Sequence, residues 1–279
     1  MRKGFWQVVV MLIPVVCCAA EDNITNAPAP PFLSEMTQRV QRQLSEMDRW
    51  ARAAAQRISE TELDSDLARD VLRSLLRYSG VVDCSSVTTN GIMLAVEPKQ
   101  YQYCQGADIS GQEQVVRLRE TGKPVFSESF KTAEGLYAAD LEWPVFRDAE
   151  WVGSVSVLIC PVALLRDDIV PRAGAFSGEI WAMEPGGRIL YDADQGEIGR
   201  NLFSDDLYEP YEALRELGRR IQRASAGFGE YSFMAQGSTN IVTKQAWWSS
   251  VGLHGTMWRL VATREKPAQD NTNQPAMSR

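Results

Sequence analysis

From Leu33 onward, apolar residues return at three- and four-residue steps: Leu33, Met36, Val40, Leu44, Met47, Ala51, Ala54 and Ile58. That period predicts a helix with one apolar stripe. Arg39, Arg42, Glu46, Arg49 and Arg52 fall mostly off the stripe. Ser59-Glu-Thr-Glu62 interrupts the run, and Leu63, Leu67, Val71, Leu75 and Tyr78 carry it on to Gly80. The pattern over 33–80 predicts one long bent helix or two in tandem. Its narrow stripe can pack on the chain's own domains or, as a coiled coil, on a second copy, which would make a homodimer. A stripe only a few heptads long favours the first.

Past Gly80 the pattern shortens to strand-length runs. It is clearest in the second half. Residues 179–183 and 188–192 flank Pro185-Gly186-Gly187 and predict a hairpin, because glycine supplies the positive φ of a tight turn. Leu207, Tyr211, Leu214, Leu217 and Ile221 then predict a helix, with cap oxygens in Ser204-Asp205-Asp206 and a stop at Gly227. Strands follow at 228–234, 241–253 and 257–264, the last two joined at His254-Gly255. The same order occurs earlier. Residues 91–96 and 100–104 read as a hairpin and 111–121 as a helix stopped by Gly122-Lys123-Pro124; 124–130, 135–146 and 150–160 read as strands. The fold class is therefore α+β: a long N-terminal helix, then two copies of one unit, each a five-stranded antiparallel sheet with a helix. The expected modules are 81–170 and 176–265. A helix around 162–169 and a flexible joint at 171–178 connect them, and a polar tail covers 266–279.

The N-terminus adds a compartment. Arg2 and Lys3 precede an apolar run from Phe5 to Val16, and Cys17-Cys18-Ala19-Ala20 supplies small residues before Glu21-Asp22. This predicts a signal peptide over 1–20, then a Pro-rich linker over 21–32, and places the protein outside the cytoplasm, in the periplasm or at the cell surface. An uncleaved anchor is one alternative. Another is lipidation at Cys18, since Val15-Val16-Cys17-Cys18 loosely resembles a lipoprotein box. The remaining cysteines are Cys84, Cys104 and Cys160. In an oxidising compartment Cys84 and Cys104 are candidates for a disulfide; three unpaired thiols is the other reading.

Net charge −7 argues against nucleic acid as a partner. The single histidine, His254, sits in a predicted turn, which leaves no Ser-His-Asp triad and no His-rich metal site. No phosphate-binding loop or dinucleotide fingerprint occurs, so no cofactor is expected. Asp140 and Glu142 alternate on one predicted strand and share a face. They read as paired acids or, more simply, as the polar lining of a pocket. Tyr101, Tyr103, Tyr137 and Trp143 are candidates to wall that pocket, with ordinary core packing as the alternative. Trp247 and Trp248 must point to opposite faces, one into a core and the other into a pocket or an interface.

Several runs carry a resemblance. Gly106-Ala-Asp-Ile-Ser110, Thr121-Gly-Lys-Pro-Val125 and Trp151-Val-Gly-Ser-Val155 occur in the first unit. Gly187-Arg-Ile-Leu-Tyr-Asp192, Ile198-Gly-Arg-Asn-Leu202 and Gly227-Phe-Gly-Glu-Tyr231 occur in the second. In this order, twice over, the chain resembles the double Cache family of PAS-like extracytoplasmic sensors across about 33–264. The resemblance implies a small-molecule ligand in the first module and a membrane receptor or kinase as signalling partner, without enzyme activity. An amino-acid-binding subfamily has Arg, Trp, Tyr and Asp where this chain has Gln112, Gln114, Val115 and Leu158. By the resemblance Gln114 faces the ligand, and Arg117 or Arg119 would meet an anionic group, hence an anionic metabolite. The contrasting expectation is a non-catalytic interaction protein that docks through the long helix and an exposed member of the Trp247-Trp248 pair.

Overall fold

The computed structural model describes residues 28–173, 176–234 and 241–266. The predicted signal peptide, Cys18 and nearly all of the predicted tail lie outside these.

The predicted helical region is two helices. α1 (Pro31–Ile58) has Pro at its first position, where the missing N–H costs nothing. Its 28 residues, at about 1.5 Å each, make a rod of roughly 42 Å. α2 (Asp66–Leu75) begins at Ser65, whose side chain accepts the Ala68 N–H at 3.1 Å. The interruption at residues 59–62 is the corner between them.

The first module holds β1 (Val81–Thr88), β2 (Met93–Glu97), α3 (Glu113–Thr121), β3 (Val125–Phe126), β4 (Phe130–Lys131), β5 (Tyr137–Arg147) and β6 (Glu150–Ile159). α4 (Pro161–Ala173) leads to the second module: β7 (Glu179–Met183), β8 (Ile189–Tyr191), α5 (Glu212–Arg223), β9 (Gly227–Met234), β10 (Ile241–Leu253) and β11 (Thr256–Glu265). The sheets run β2-β1-β6-β5-β3, with β4 also on β5, and β8-β7-β11-β10-β9. Counted within each module, with β3 and β4 taken as one interrupted strand, both read second, first, fifth, fourth, third, and every pairing is antiparallel.

Four expectations about elements need correction. The first strand of the first module is β1, upstream of the predicted hairpin, and residues 99–104 form a 3-10 turn after Pro98 rather than a strand. β1 carries Asp83 and Ser85 inward, so it lacks the apolar alternation that marks a half-buried strand. The predicted second-module helix is broken: Asp206–Tyr208 is a 3-10 turn capped by Asp205, and α5 starts after Pro210, which has no N–H to continue a helix. α5 ends at Arg223, and Gly227 opens β9 instead of stopping the helix. The predicted joint at 171–178 begins as helix, since α4 runs to Ala173.

The stripe of α1 is spent inside the chain. Leu33, Met36, Val40, Leu44, Met47, Ala51, Ala54 and Ile58 are all buried in one cluster with the facing sides of both sheets. Gln41 anchors the early part of α1 to β10, exchanging two 3.0 Å hydrogen bonds with the backbone of Gly252. Further along, the Trp143 indole N–H of β5 donates to Asp48 at 2.8 Å. One helix thus serves as a common spine for two sheets. Trp247 faces this spine and Trp248 the opposite cluster under α5; both are buried, so neither is the exposed docking ring expected.

Candidate functional site

The two modules share a topology but differ on the sheet face turned away from α1. In the second module that face carries Trp181, Met183, Ala246, Trp248 and Val261, packed against Leu217 and Ile221 of α5. In the first it carries Asp83, Ser85, Asp140, Glu142, Ser154 and Ser156, each at most 5% exposed. Burying such a row is costly unless the groups find partners. A fold that needed only stability would fill this face as the second module does.

Strand register sets the geometry. Asp83 of β1 and Asp140 of β5 both pair with Leu158 of β6, and Ser85 and Glu142 both pair with Ser156. The two aspartates therefore flank Leu158. The cleft over them is lined by Phe130 of β4 with Thr132, Ala133 and Glu134 after it, and by Met93, Ile109 and Gln112. The cleft is small, with a cavity volume of about 20 Å³, room for a single water-sized group.

Its hydrogen bonds are incomplete. Asp140 accepts from Ser156 at 2.8 Å and from the Gln114 amide at 3.2 Å. Gln114 also donates to the Gln112 side-chain oxygen at 2.7 Å. Ser154 donates to Glu142 at 2.6 Å. One oxygen of Asp83, one of Glu142 and the Ser85 hydroxyl have no hydrogen-bond partner. Burial pushes the Asp83 carboxyl up to about 9, with repulsion from Glu134 and Asp140 adding to it. Burial also raises Asp140 and Glu142, against the pull of Ser156 and Gln114 on the one and Ser154 on the other. Burial thus favours the neutral form of Asp83, Asp140 and Glu142.

Of the predicted site residues, the structure brings Gln114 and Asp140 together. Tyr101 is half-buried against the cluster beside the cleft, while Tyr103 stands 68% exposed on the same 3-10 turn, its ring 6.4 Å from that of Tyr101. Trp143 faces α1, on the reverse of the sheet. Tyr137 is half-exposed and its ring lies under the Arg188 guanidinium of the second module at 5.4 Å. Arg117 lies outside the acidic cleft. It pairs with Glu113 at 2.8 Å and donates to the His254 carbonyl at 3.4 Å, in the groove between the modules. The cation invoked for an anionic ligand is thus absent from the cleft walls, and Arg119 reaches it only as a distant attraction on Glu142. Of the two readings of the thiols, the structure has the unpaired one, with no Cys84–Cys104 disulfide. Both are free and buried, Cys84 in the cluster against α1 and Cys104 in the one beyond the other face of the sheet.

Sequence reasoning missed Asp83, Ser156 and Glu134. The available signal was Asp83 inside a Val-rich run, a charge where a strand should be apolar. Among the described residues no helix is long and apolar enough to cross a membrane, and no cluster of His, Cys, Asp and Glu is arranged to hold a metal ion.

The module order is matched in known proteins. Residues 42–161 match the family model for the HK/GC/chemotaxis protein-like sensor domain. An extracellular ligand binding receptor from Desulfohalobium retbaense is 35% identical, with a TM-score of 0.71 over 83% of this chain. The chain has the double Cache architecture. It spans 39% of that receptor's length. The ligand-binding domain of the Pseudomonas aeruginosa chemoreceptor PctB, solved with L-Gln, shares the double Cache fold at 18% identity and a TM-score of 0.59, over 85% of this chain and 91% of that one. That of the Pseudomonas fluorescens chemoreceptor CtaA, solved with L-isoleucine, does so at 15% identity and 0.59, over 84% and 89%. Comparison with curated proteins gives no match.

Proposed function

We propose that this chain is an extracytoplasmic small-molecule sensor that takes its ligand in the cleft of the first module and acts through a membrane receptor or kinase rather than by catalysis. The observation that carries the reading is the buried, partly unpartnered polar face of the first sheet beside a cleft, where the second module has an apolar core. The names of the similar proteins, ligand binding receptors and chemoreceptors, support it. Two contacts of α3 support a signalling role as well. Gln114 touches the cleft and Arg117, one turn along α3, touches the second module. The test is a thermal-shift screen of the purified chain against a broad library of charged and neutral metabolites. A saturable rise in melting temperature, lost in Asp140→Asn, is expected; no hit from any class would remove the reading. Export, with cleavage before Glu21 or lipid attachment at Cys18, belongs to the same proposal and is checked by intact mass of the exported protein.

A homodimer through the N-terminal helices is the second reading. The α1 stripe is already buried, so a second copy would meet the other side, where Trp50 and Leu67 are each more than 40% exposed beside a groove between α1 and α2. Sedimentation of the wild type and of Trp50→Ala distinguishes the two: a dimer that the variant dissolves supports this reading, and a monomer in both ends it.

A further inference from the structure

A larger space than the acidic cleft lies where the two modules meet. It is a groove with a cavity volume of about 820 Å³, bounded by the start of α3, the segment from β3 to β4, and the turn into β11. We infer that this groove binds a neutral sugar, a mono- or disaccharide, at a site separate from the cleft.

Size comes first. Small-molecule sites measure roughly 300–1,000 Å³. The groove falls inside that range and the cleft, at about 20 Å³, does not. Both modules build it. The first supplies Gln112, Glu113, Gln114 and Arg117 with residues 127–130, and the second supplies Pro185 with residues 255–257.

Charge then narrows the class. Arg117 is the one cation among the described lining residues, and Glu113, also in the lining, holds it at 2.8 Å. Glu128 is the remaining charged group and is exposed. A dianion would bring its charge against two carboxylates, and a dication against a guanidinium. A hydroxyl both donates and accepts, so a polyol serves both sets without adding charge. The donors are present: a guanidinium has five N–H groups, and Glu113 and the His254 carbonyl engage two of Arg117's. The acceptors are the carboxylates of Glu113 and Glu128. Planar carboxylate, amide and guanidinium groups also suit neighbouring ring hydroxyls taken two at a time.

Ser129 is the second, independent observation. It lines the groove and is 6% exposed, yet its hydroxyl has no hydrogen-bond partner. Its backbone is fixed, because the N–H donates to Glu184 at 2.5 Å. An unpaired buried hydroxyl is costly, and a sugar hydroxyl supplies what it lacks. The buried Ser127 hydroxyl accepts the Asp140 N–H at 2.9 Å, and its own O–H can donate. The apolar side of a pyranose ring is met as well: Phe130, Pro185 and Met257 are half-buried in the lining. Gln112 and Phe130 line both groove and cleft, whereas Glu128 and Ser129 line the groove alone and Asp83 the cleft alone.

The test is calorimetric titration of the full chain with glucose, galactose, maltose and cellobiose, and with succinate and 1,4-diaminobutane as charged compounds. Saturable binding of at least one sugar is expected, with the charged compounds weaker or silent. Glu128→Gln should weaken the sugar about tenfold and Ser129→Ala about threefold. Ser129→Ala should leave the melting temperature of the free protein unchanged, because the hydroxyl it removes has no partner; a purely structural hydroxyl would lower it. Asp83→Asn should leave sugar affinity within about twofold, as a site with no shared partner does. No sugar binding, an affinity unchanged in both groove variants, or a charged compound that binds more tightly and is weakened by Glu128→Gln would overturn the inference. The cleft reading is judged separately: a ligand lost in Asp140→Asn alone belongs to the cleft, and one lost in Glu128→Gln and Ser129→Ala alone belongs to the groove.

Discussion

The carboxylate of Glu184, at the end of β7, accepts the backbone N–H of Ser129 at 2.5 Å across the boundary between the modules. Ser129 precedes Phe130, which lines the cleft, so a second-module side chain holds the backbone next to a first-module cleft residue. Glu184 is 2% exposed.

This contact should titrate. Burial pushes the Glu184 carboxyl up to about 7 from 4.5, with nearby Glu128 adding to the rise and the Ser129 N–H and Arg188 opposing it. A folded state that holds a proton more tightly than the unfolded chain loses stability as pH rises from about 4.5 to about 7, and the loss levels off above that. Replacing Glu184 with Gln should remove this part of the slope, up to about 3 kcal/mol at roughly 1.4 kcal/mol per pH unit. Melting temperatures of both proteins between pH 4.5 and 8 check it; parallel curves would show that Glu184 does not titrate there. The acids of the cleft shift in the same direction, so the variant should keep a residual slope.

A second junction lies on the spine. His254 Nε2 is 2.6 Å from the Asp48 oxygen that accepts the Trp143 indole N–H, and the His254 and Trp143 rings meet edge-on at 5.9 Å. One carboxylate thus joins α1, β5 and the β10–β11 turn. Asp48→Ala leaves two donors without an acceptor and should cost about 1–3 kcal/mol in denaturant unfolding. His254→Ala should cost less, because the indole keeps its partner.

Gly153, in the Trp151-Val-Gly-Ser-Val155 run, has φ of 156°, and a Cβ there would stand 2.3 Å from the Val87 carbonyl oxygen and 2.6 Å from a Leu63 methyl. Gly153→Ala should therefore destabilise by at least about 2 kcal/mol, since backbone blocks the added atom. Gly106, with φ of 85° and nothing within 4 Å of such a Cβ, is the control; its Ala variant should lose only about 1 kcal/mol, the left-handed backbone penalty. Equal losses would mean that sterics at β1 are not the cause.

The thiols give a chemical readout. Cys84 is fully enclosed and Cys104 is 4% exposed, while Cys160 is partly accessible. Burial raises Cys84 far above the ordinary thiol range and Cys104 to about 11. Native alkylation followed by peptide mass analysis should label Cys160 first, and reductant should leave the melting temperature unchanged. A reductant-sensitive Cys84–Cys104 peptide pair would contradict this.

The parts of the fold that were legible in the sequence are those where one face is apolar. The α1 stripe, β7, β10 and β11 follow their periods closely because hydrophobic burial alone decides them. β1 was hidden for the reason that makes it interesting: Asp83 and Ser85 occupy positions a stable sheet would give to Val or Leu. The α5 boundary was misjudged because Leu207 continues the helical spacing across Pro210. In the site, Asp140 and Glu142 were visible as a same-face pair. Whether that face met solvent, core or cleft depends on residues 130–134 and on β1, which lie apart from it in sequence. Trp143 and Arg117 were misplaced because strand alternation gives a face but not which face looks at α1, and a helix position does not reveal which module it meets.

The rings of Phe32 and Phe176 stack at 5.9 Å, and Gly178 lies so near Thr263 that a Cβ on it would be 2.2 Å from the Thr263 carbonyl. The start of the spine, the entry to the second module and the end of the last strand thus meet at one corner. Three stretches of backbone far apart in sequence are tied at one point, and a paired-label distance between residues 32 and 263 would register any change in their relative pitch.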